Sequence, residues 1–175
     1  MMEITFIPTT DARLIARLNR SIHEHHFRMN PEFFAEYEEE KMYEGFLTLI
    51  GRHGHHYMVM QLEATPIGYI WFEEKVSEAN AFRQAVRTVY VHHISIDTTY
   101  QRNGYGRRVM EWMEQWALDH QFRSIELDYW MSNTDAASFY GEIGFTPKRQ
   151  IVMKKWRNNM MELLTIGLGI LGVRR

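Results

Sequence analysis

Residues 100 to 108, YQRNGYGRR, combine two closely spaced glycines with three arginines. Glycine lets the backbone approach a ligand closely, and a helix that begins nearby points unpaired N–H groups and its positive dipole end outward. Arg102, Arg107 and Arg108 add cationic hydrogen-bond donors beside those amides. The stretch predicts a phosphate-binding loop, although a strand-to-helix turn with two glycines is also a common structural feature.

Histidine clusters are the second group of residues that could do chemistry. The segments HEHH (23–26) and HGHH (53–56) have spacings that can bind zinc or nickel. Neither cluster is accompanied by paired carboxylates, and the chain contains no cysteine, which also excludes disulfides and thiolate nucleophiles. The sequence therefore predicts two wet surface clusters and no native metal site.

The composition is that of a folded protein of one domain. The 175 residues are 45% hydrophobic and 24% charged, and the formal net charge is -2. That charge argues against a general nucleic-acid binder, which usually has a basic field. The N-terminal segment lacks the features of a signal peptide, and the apolar run LLTIGLGILGV is well short of the ~20 residues of a membrane-spanning helix. We therefore expect a cytoplasmic protein without a membrane partner.

The first half of the chain predicts strands and two helices. Residues 2–8 alternate like a strand, and Thr10 or Asp11 is placed to cap a following helix. Asn30-Pro31 breaks that helix, and a second helix is predicted from Glu32 to Tyr43. Residues 57–62 and 67–76 then form a predicted antiparallel hairpin.

The second half predicts a strand, the glycine loop and a helix in that order. The β-branched run TVYVHHISID precedes the loop, and the helix after it has an apolar stripe formed by Val109, Met110, Met113, Trp116 and Ala117. The segments that follow predict a strand (SIELDYW), a short helix capped by Asn133 or Thr134 and ended by Gly144, and a final strand (KRQIVMKKW). These elements predict a fold of the α/β (mixed α+β) class, in which a mixed sheet has helices on its faces.

The loop lacks the Gly-Lys-Ser/Thr ending of a P-loop and the GxGxxG spacing of a dinucleotide fold. Its Q-x-x-G-x-G form, with Gln101, Gly104 and Gly106, resembles the acyl-CoA-binding signature of the GNAT superfamily of N-acyltransferases. The later segment NTDAASFYGEIGF resembles the second signature of that family, Asn-x-x-Ala-x-x-Phe-Tyr followed by Gly-Phe. The resemblance extends from Met1 to about Trp156 and implies the GNAT-like fold, with a central, mostly antiparallel mixed sheet flanked by helices.

The resemblance implies where acetyl-CoA would lie. Its pyrophosphate is expected on the backbone of Arg102, Asn103, Gly104, Tyr105, Gly106 and Arg107. Its pantetheine arm is expected to pair with the backbone of Ile94, Ser95 and Ile96, as a peptide adds to a sheet edge, and Asn133 is expected to reach the same arm.

Catalytic roles also follow from the resemblance. Tyr140 matches the usual general acid of the family, which protonates the leaving thiolate, although a core tyrosine is the structural alternative. The position of the family's usual basic glutamate is Tyr90, so His92, on the same strand face by alternation, is a hypothetical substitute base; a packed or surface histidine is the alternative.

The resemblance also implies that the acidic segment EFFAEYEEEKMYEG falls where members of this family usually build one wall of the acceptor pocket. Its glutamates could attract a cationic amine, or they could form a solvated helix face.

The sequence therefore predicts a GNAT N-acetyltransferase domain over residues 1–156 that transfers acetyl directly from acetyl-CoA to a primary amine of a small molecule, protein or peptide. A noncatalytic acyl-CoA sensor or adaptor is the alternative. Residues 157–175 are an apolar extension, for which an extra strand, a dimer contact or a disordered end is open, and packing or a homodimer contact is the favoured role.

Overall fold

The computed structural model describes residues 4–156. The chain divides into two compact units after Ile143, and the helices and strands of the described residues all belong to the first unit. Of the second unit, residues 144–156 are described and contain no helix or strand, so the predicted final strand at 148–156 is wrong. A suitable local sequence alone does not make a strand, because a strand also depends on a partner strand. The apolar extension 157–175 lies outside the described residues.

The first unit is a five-stranded sheet with helices on both faces. Its elements are β1 (Ile4–Pro8), α1 (Ala12–Met29), α2 (Glu39–Leu49), β2 (His55–Leu62), β3 (Thr65–Ser77), β4 (Val86–Ile96), a 3-10 turn (Thr98–Tyr100), α3 (Tyr105–Asp119), β5 (Ser124–Leu127) and α4 (Thr134–Glu142). The strand order is β1-β2-β3-β4-β5; the β4–β5 pair is parallel and the other pairs are antiparallel. This confirms the predicted mixed, mostly antiparallel sheet.

Both faces of the sheet are buried. On one face α3 packs Val109 and Met113 against strand residues such as Phe72 and Val91. On the other face α1 and α2 pack against Tyr69 and Trp71 among others. The apolar stripe predicted for α3 is confirmed, since Val109, Met110, Met113 and Ala117 are buried and Trp116 packs against the same cluster.

The helix predicted from Glu32 to Tyr43 is displaced along the chain. It begins at Glu39 and continues to Leu49. This register brings Phe46 into contact with the rings of Tyr57, Tyr69 and Trp71 on the sheet, with ring centroids 6.1 to 6.3 Å apart. Tertiary packing therefore sets the position of α2 in preference to the local pattern.

Capping residues in the sequence correctly predicted where two other helices begin. Asp11 caps α1 by accepting hydrogen bonds from the backbone N–H groups of Arg13 and Leu14 at 3.0 and 2.9 Å. Asn133 caps α4 by accepting from the N–H of Ala136 at 3.0 Å. Within residues 4–156, no helix combines the length and apolar character needed to cross a bilayer.

Candidate active site

A β-bulge in β4 shapes the centre of the candidate site. Trp71 of β3 pairs with His93 and Phe72 pairs with Val91, so His92 is an extra residue in the β4 ladder. Such a bulge interrupts the alternation of side chains between the two faces. As a result, the neighbouring residues His92 and His93 both line a cavity on the face covered by α1 and α2.

Beyond the bulge, β4 continues past the end of β5. The parallel ladder joins Thr88–Val91 to Ser124–Leu127 and includes no later residue of β4. The backbone of residues 94–96 therefore follows an edge that β5 does not pair. The Ser95 side chain is buried and its Oγ donates to the Leu18 carbonyl at 2.6 Å, so Ser95 would offer a ligand its backbone rather than its hydroxyl.

The glycine loop leads from β4 to an α3 N-terminus without a side-chain cap. Gly104 is the N-cap residue, with a φ of 79° in the left-handed region that favours glycine. The first N–H groups of a helix have no partner within the helix. Gln101 ties the loop to the end of β4 by donating from Nε2 to the Ile96 carbonyl at 2.8 Å. The loop therefore has the amide geometry that fits an anion such as the pyrophosphate of acetyl-CoA.

The loop arginines extend the positive character of this end of α3 into solvent. Arg102 is 90% exposed in its side chain and lies 3.7 Å from the Asp135 carboxylate on α4. Arg107 is also exposed. Exposed cations of this kind attract an anion from solution but contribute little as single ion pairs.

Helix α4 lies against the beginning of α3. A Cβ placed on Gly106 would be 3.5 Å from the Phe139 ring, and the next residue, Tyr140, has its ring 5.9 Å from that of Tyr129. Burial raises the pKa of Tyr140 to about 12, so its hydroxyl is protonated at neutral pH. Tyr140 does not line the cavity, but Asp128 does, and Asp128 precedes Tyr129.

The cavity has a volume of about 310 Å³ between the sheet and the first two helices. Its lining includes Ile22 and His26 from α1, Met42 and Phe46 from α2, and Trp71 from β3, in addition to the two β4 histidines. Helix α2 forms one wall of this cavity, through Lys41, Met42, Gly45, Phe46 and Leu49. That this wall belongs to an acceptor pocket stays a prediction.

The glutamates of the acidic segment do not face the cavity. Three of them pair with basic side chains, Glu38 with Lys41, Glu39 with Arg20 and Glu40 with Arg13. These pairs are largely exposed, and they offset the charge of three of the six glutamates in the segment. The sequence could not show this pairing because the arginines belong to α1.

His92 is held from two directions. Its Nε2 lies 2.9 Å from Oε2 of Glu73 on β3, and its ring stacks on Trp71 with centroids 4.2 Å apart. Burial lowers the pKa of His92, while the hydrogen bond and the charge of Glu73 oppose that shift. His92 and Tyr90 share a face as expected, with ring centroids 4.9 Å apart.

His55 completes this group. The Trp71 Nε1–H donates to His55 Nδ1 at 3.0 Å, so a neutral His55 ring carries its proton on Nε2. That atom lies 4.0 Å from Oε1 of Glu73. Glu73 is thus placed between two imidazoles.

His93 belongs to a separate, buried chain of hydrogen bonds. Tyr69 donates its hydroxyl proton to Oδ1 of Asn19 at 2.8 Å, and its oxygen lies 2.8 Å from His93 Nδ1. The single Tyr69 proton is used by Asn19, so His93 donates through Nδ1 and keeps a lone pair on Nε2. Burial lowers the pKa of His93 to about 4, which keeps the ring neutral at pH 7.

The histidine clusters are not the wet surface groups that the sequence predicts. In HEHH, His23 and His26 line the cavity, and His23 Nε2 is 2.8 Å from the Ala35 carbonyl. In HGHH, His55 and His56 are half-buried next to glutamates of β3, while His53 is exposed. Among residues 4–156, no group of three or more ligating side chains is arranged to hold a metal ion.

The sequence analysis did not identify three polar residues of the site. Glu73 becomes significant only through the β3–β4 register, and His93 only through the bulge, because strict alternation places it on the opposite face from His92. Asp128 faces the cavity and accepts a hydrogen bond from the Tyr90 hydroxyl. Tyr90 therefore binds a carboxylate at the position where the family resemblance leads us to expect one.

Comparison with known proteins assigns the family. Residues 20–145 match the model of the acetyltransferase (GNAT) family. This match covers most of the chain, including both signatures, β4 and all but one of the residues that line the cavity. The chain therefore belongs to the GNAT family, whose members are acetyl-CoA-dependent N-acetyltransferases.

Solved structures have the same fold. A tetramutant of the BH1408 protein from Bacillus halodurans is 25% identical, with a TM-score of 0.78 over 89% of this chain and 100% of that one. The aminoglycoside acetyltransferase meta-AAC0020 from an uncultured soil metagenomic sample is 18% identical, with a TM-score of 0.61 over 89% and 95% of the two chains. Aminoglycoside N-acetyltransferase AAC(6')-Iy in complex with CoA is 11% identical, with a TM-score of 0.60 over 90% and 97%. No curated protein matches significantly.

Proposed function

We propose that this enzyme transfers the acetyl group of acetyl-CoA directly to a primary amine while both substrates are bound. The observation that carries the proposal is the bulge in β4. It places His92 at the wall of the cavity, two residues before the unpaired strand edge at Ile94–Ile96. An amine in the cavity would therefore lie next to the strand edge that would hold the thioester.

Backbone groups of this chain would hold acetyl-CoA. Amides of the loop from Arg102 to Arg107 would bind the pyrophosphate, and the edge at Ile94–Ile96 would pair with the pantetheine arm. Asn133 would approach the arm through its Nδ2 group, because its Oδ1 already accepts the capping hydrogen bond. Acetyl-CoA, when bound, supplies an activated thioester carbonyl.

Two side chains would transfer protons during the reaction, His92 as the general base and Tyr140 as the general acid. An ammonium has no lone pair for attack, so His92 would take one proton from the protonated amine. As the C–N bond forms and the C–S bond breaks, Tyr140 would donate its proton to the leaving thiolate of CoA. The attacking nitrogen loses its second proton to bulk solvent, which also removes the proton of His92 and returns that of Tyr140. The products are the acetylated amine, CoA thiol and one released proton.

Two assays test the proposal. Calorimetry with acetyl-CoA, using desulfo-CoA and ATP as controls, tests cosubstrate binding. Thiol release with a panel of small amines and peptides tests transfer. Acetyl-CoA binding together with amine-dependent thiol release supports the enzyme. Binding without thiol release in the presence of any amine would favour the noncatalytic sensor. The observation that favours the sensor is Tyr90 at the position where the family usually has a glutamate. No binding at near-millimolar acetyl-CoA would overturn both.

The remaining features of the protein belong to the same proposal. Residues 1–156 would form the acetyltransferase domain, and the segment 157–175 would contribute packing or a homodimer contact. The enzyme would act in the cytoplasm on a soluble amine. Mass measurements on the full chain and on a chain ending at residue 156 test the homodimer.

A further inference from the structure

We infer that the cavity takes a small monoamine with an aromatic or other apolar body, rather than an acceptor with several positive charges. The inference rests on the proposed function and names the substrate class of the same site. It differs from the substrate class named for two of the similar structures, which are aminoglycoside acetyltransferases. Likeness of fold does not fix the substrate, since the residues of the site decide it.

The size of the cavity favours a small acceptor. Its volume of about 310 Å³ lies at the lower end of the range for ligand pockets, about 300 to 1,000 Å³. A molecule about the size of an aromatic amine fits such a volume. A three-ring aminoglycoside would have to extend out of the cavity.

The walls are mainly apolar and aromatic. Phe34, Phe46 and Trp71 contribute rings, and Ile22 and Met42 contribute aliphatic surface. Trp71 and Phe46 are held rigidly, since both are at least 92% buried and their ring centroids are 6.3 Å apart. Rigid apolar walls favour an apolar ligand body because its burial removes apolar surface from water.

The charges of the cavity suit one ammonium group. Among the described lining residues, Asp128 is the single carboxylate and Lys41 is the single lysine or arginine. Each ammonium group that leaves water needs a compensating partner. An acceptor with three or four ammonium groups would find one carboxylate in the cavity. Glu39 and Glu40 of α2 do not line the cavity and are paired with Arg20 and Arg13.

The histidines of the cavity suit an N–H donor. The Nε2 lone pair of His93 is available because Nδ1 is held by Tyr69. Burial lowers the pKa of both His93 and His26, so these rings are neutral at pH 7. Neutral imidazoles can accept a hydrogen bond from an amine without repelling its charge.

The first test compares amines on the wild-type full chain. Rates of thiol release are measured with 2-phenylethylamine, spermidine and kanamycin at saturating acetyl-CoA. We expect kcat/KM for 2-phenylethylamine to be at least about tenfold higher than for either polycation. A preference for spermidine or kanamycin would overturn the inference while leaving the acetyltransferase proposal intact. No transfer to any amine would overturn the proposed function and the inference with it.

The second test uses two neighbouring phenylalanines. Both rings pack on Trp130, but Phe34 lines the cavity, whereas Phe33 does not and is 45% exposed. We expect Phe34→Ala to raise the KM for 2-phenylethylamine about tenfold, with an unchanged Kd for acetyl-CoA. We expect Phe33→Ala to leave both constants within about twofold. Equal effects of the two substitutions on KM would contradict an aromatic binding site at Phe34, and thermal unfolding of both variants checks that they fold.

Discussion

The Nε2 atom of His92 lies 2.9 Å from Oε2 of Glu73 on the adjacent strand. In a neutral His92 this contact places the proton on Nε2 and leaves the lone pair on Nδ1. Glu73 would also stabilise the imidazolium that forms when Nδ1 accepts a proton. The pair therefore resembles the base and orienting carboxylate of other proton-transfer sites.

The first prediction concerns His92 itself. His92→Gln is expected to reduce kcat/KM by about 10² or more, since a positioned general base contributes roughly 10² to 10⁴. Burial lowers the pKa of His92, so in the wild type the acidic limb of the rate–pH profile should lie below the usual histidine value of 6.5. That limb should disappear in His92→Gln. A variant that keeps the wild-type limb and rate would show that His92 is not the base.

The second prediction concerns Glu73. Its hydrogen bond and charge raise the pKa of His92 against the larger, lowering effect of burial. Glu73→Gln should therefore move the acidic limb to still lower pH and reduce the plateau rate, because His92 becomes a weaker and less well oriented base. The measurement is a profile of kcat/KM against pH.

The adjacent residue provides a matched control for Glu73. Glu74 pairs with His56 at 2.7 Å, and the His56 ring lies 5.3 Å from Trp116 of α3, on the opposite face of the sheet from the cavity. Glu74→Gln removes the same charge from the same strand and should leave the acidic limb in place. An equal displacement by both substitutions would indicate a general charge effect instead of a specific contact with His92.

The third prediction concerns Tyr140. Its pKa is raised to about 12 by burial, so the hydroxyl keeps its proton across the whole working range. No alkaline loss of activity from this group is expected below about pH 10. Tyr140→Phe should reduce kcat by about 10² with little change in the Kd for acetyl-CoA. Tyr129→Phe, a change in the ring that stacks on Tyr140, is the control and should retain kcat.

The fourth prediction separates folding from cosubstrate binding in the glycine loop. A Cβ on Gly106 would lie 3.5 Å from Phe139, an ordinary contact, so Gly106→Ala should leave the unfolding temperature nearly unchanged. If the cosubstrate approaches this backbone closely, the added methyl group should raise the Kd for acetyl-CoA about tenfold or more. Gly104→Ala should instead reduce stability by about 1 kcal/mol as well, since alanine is strained in the left-handed region. An unchanged Kd in Gly106→Ala would argue against close approach at this residue.

Local patterns in the sequence were sufficient for much of the fold. Caps such as Asp11 and Asn133 and the apolar stripe of α3 depend on neighbours a few residues away, and these predictions are confirmed. The predicted position of α2 was wrong because the actual position depends on the contact of Phe46 with three rings on distant strands. The strand predicted at 148–156 was wrong because a strand also depends on its partner.

In the candidate site too, local sequence patterns predicted some features, and contacts between distant strands determine the others. The loop signature located the N-terminus of α3, and alternation placed His92 with Tyr90. The bulge that turns His93 to the same face has no signature in the local sequence. The pairing of Glu73 with His92 depends on strand register, which a single sequence does not fix.

The fifth prediction concerns the buried chain from His93 to Tyr69 and Asn19. In the folded protein the pKa of His93 is about 4, below its usual value of 6.5. The unfolded chain therefore binds the proton more tightly, and stability is lost as pH falls from 6.5 towards 4. Above the pKa of His93 in the unfolded chain, this histidine does not change the free energy of unfolding. The shift corresponds to a loss of about 3 kcal/mol from His93 by pH 4.

Urea unfolding between pH 7 and pH 4 measures this loss. His93→Gln removes the titration while its side-chain amide can still donate to Tyr69, so the variant should lose less stability than the wild type over this range. His53→Gln changes an exposed histidine and should follow the wild-type curve. Because the same burial that lowers the pKa keeps the His93 ring neutral in the cavity, an unchanged pH dependence in His93→Gln would contradict both the buried neutral histidine and its role as a hydrogen-bond acceptor for the amine.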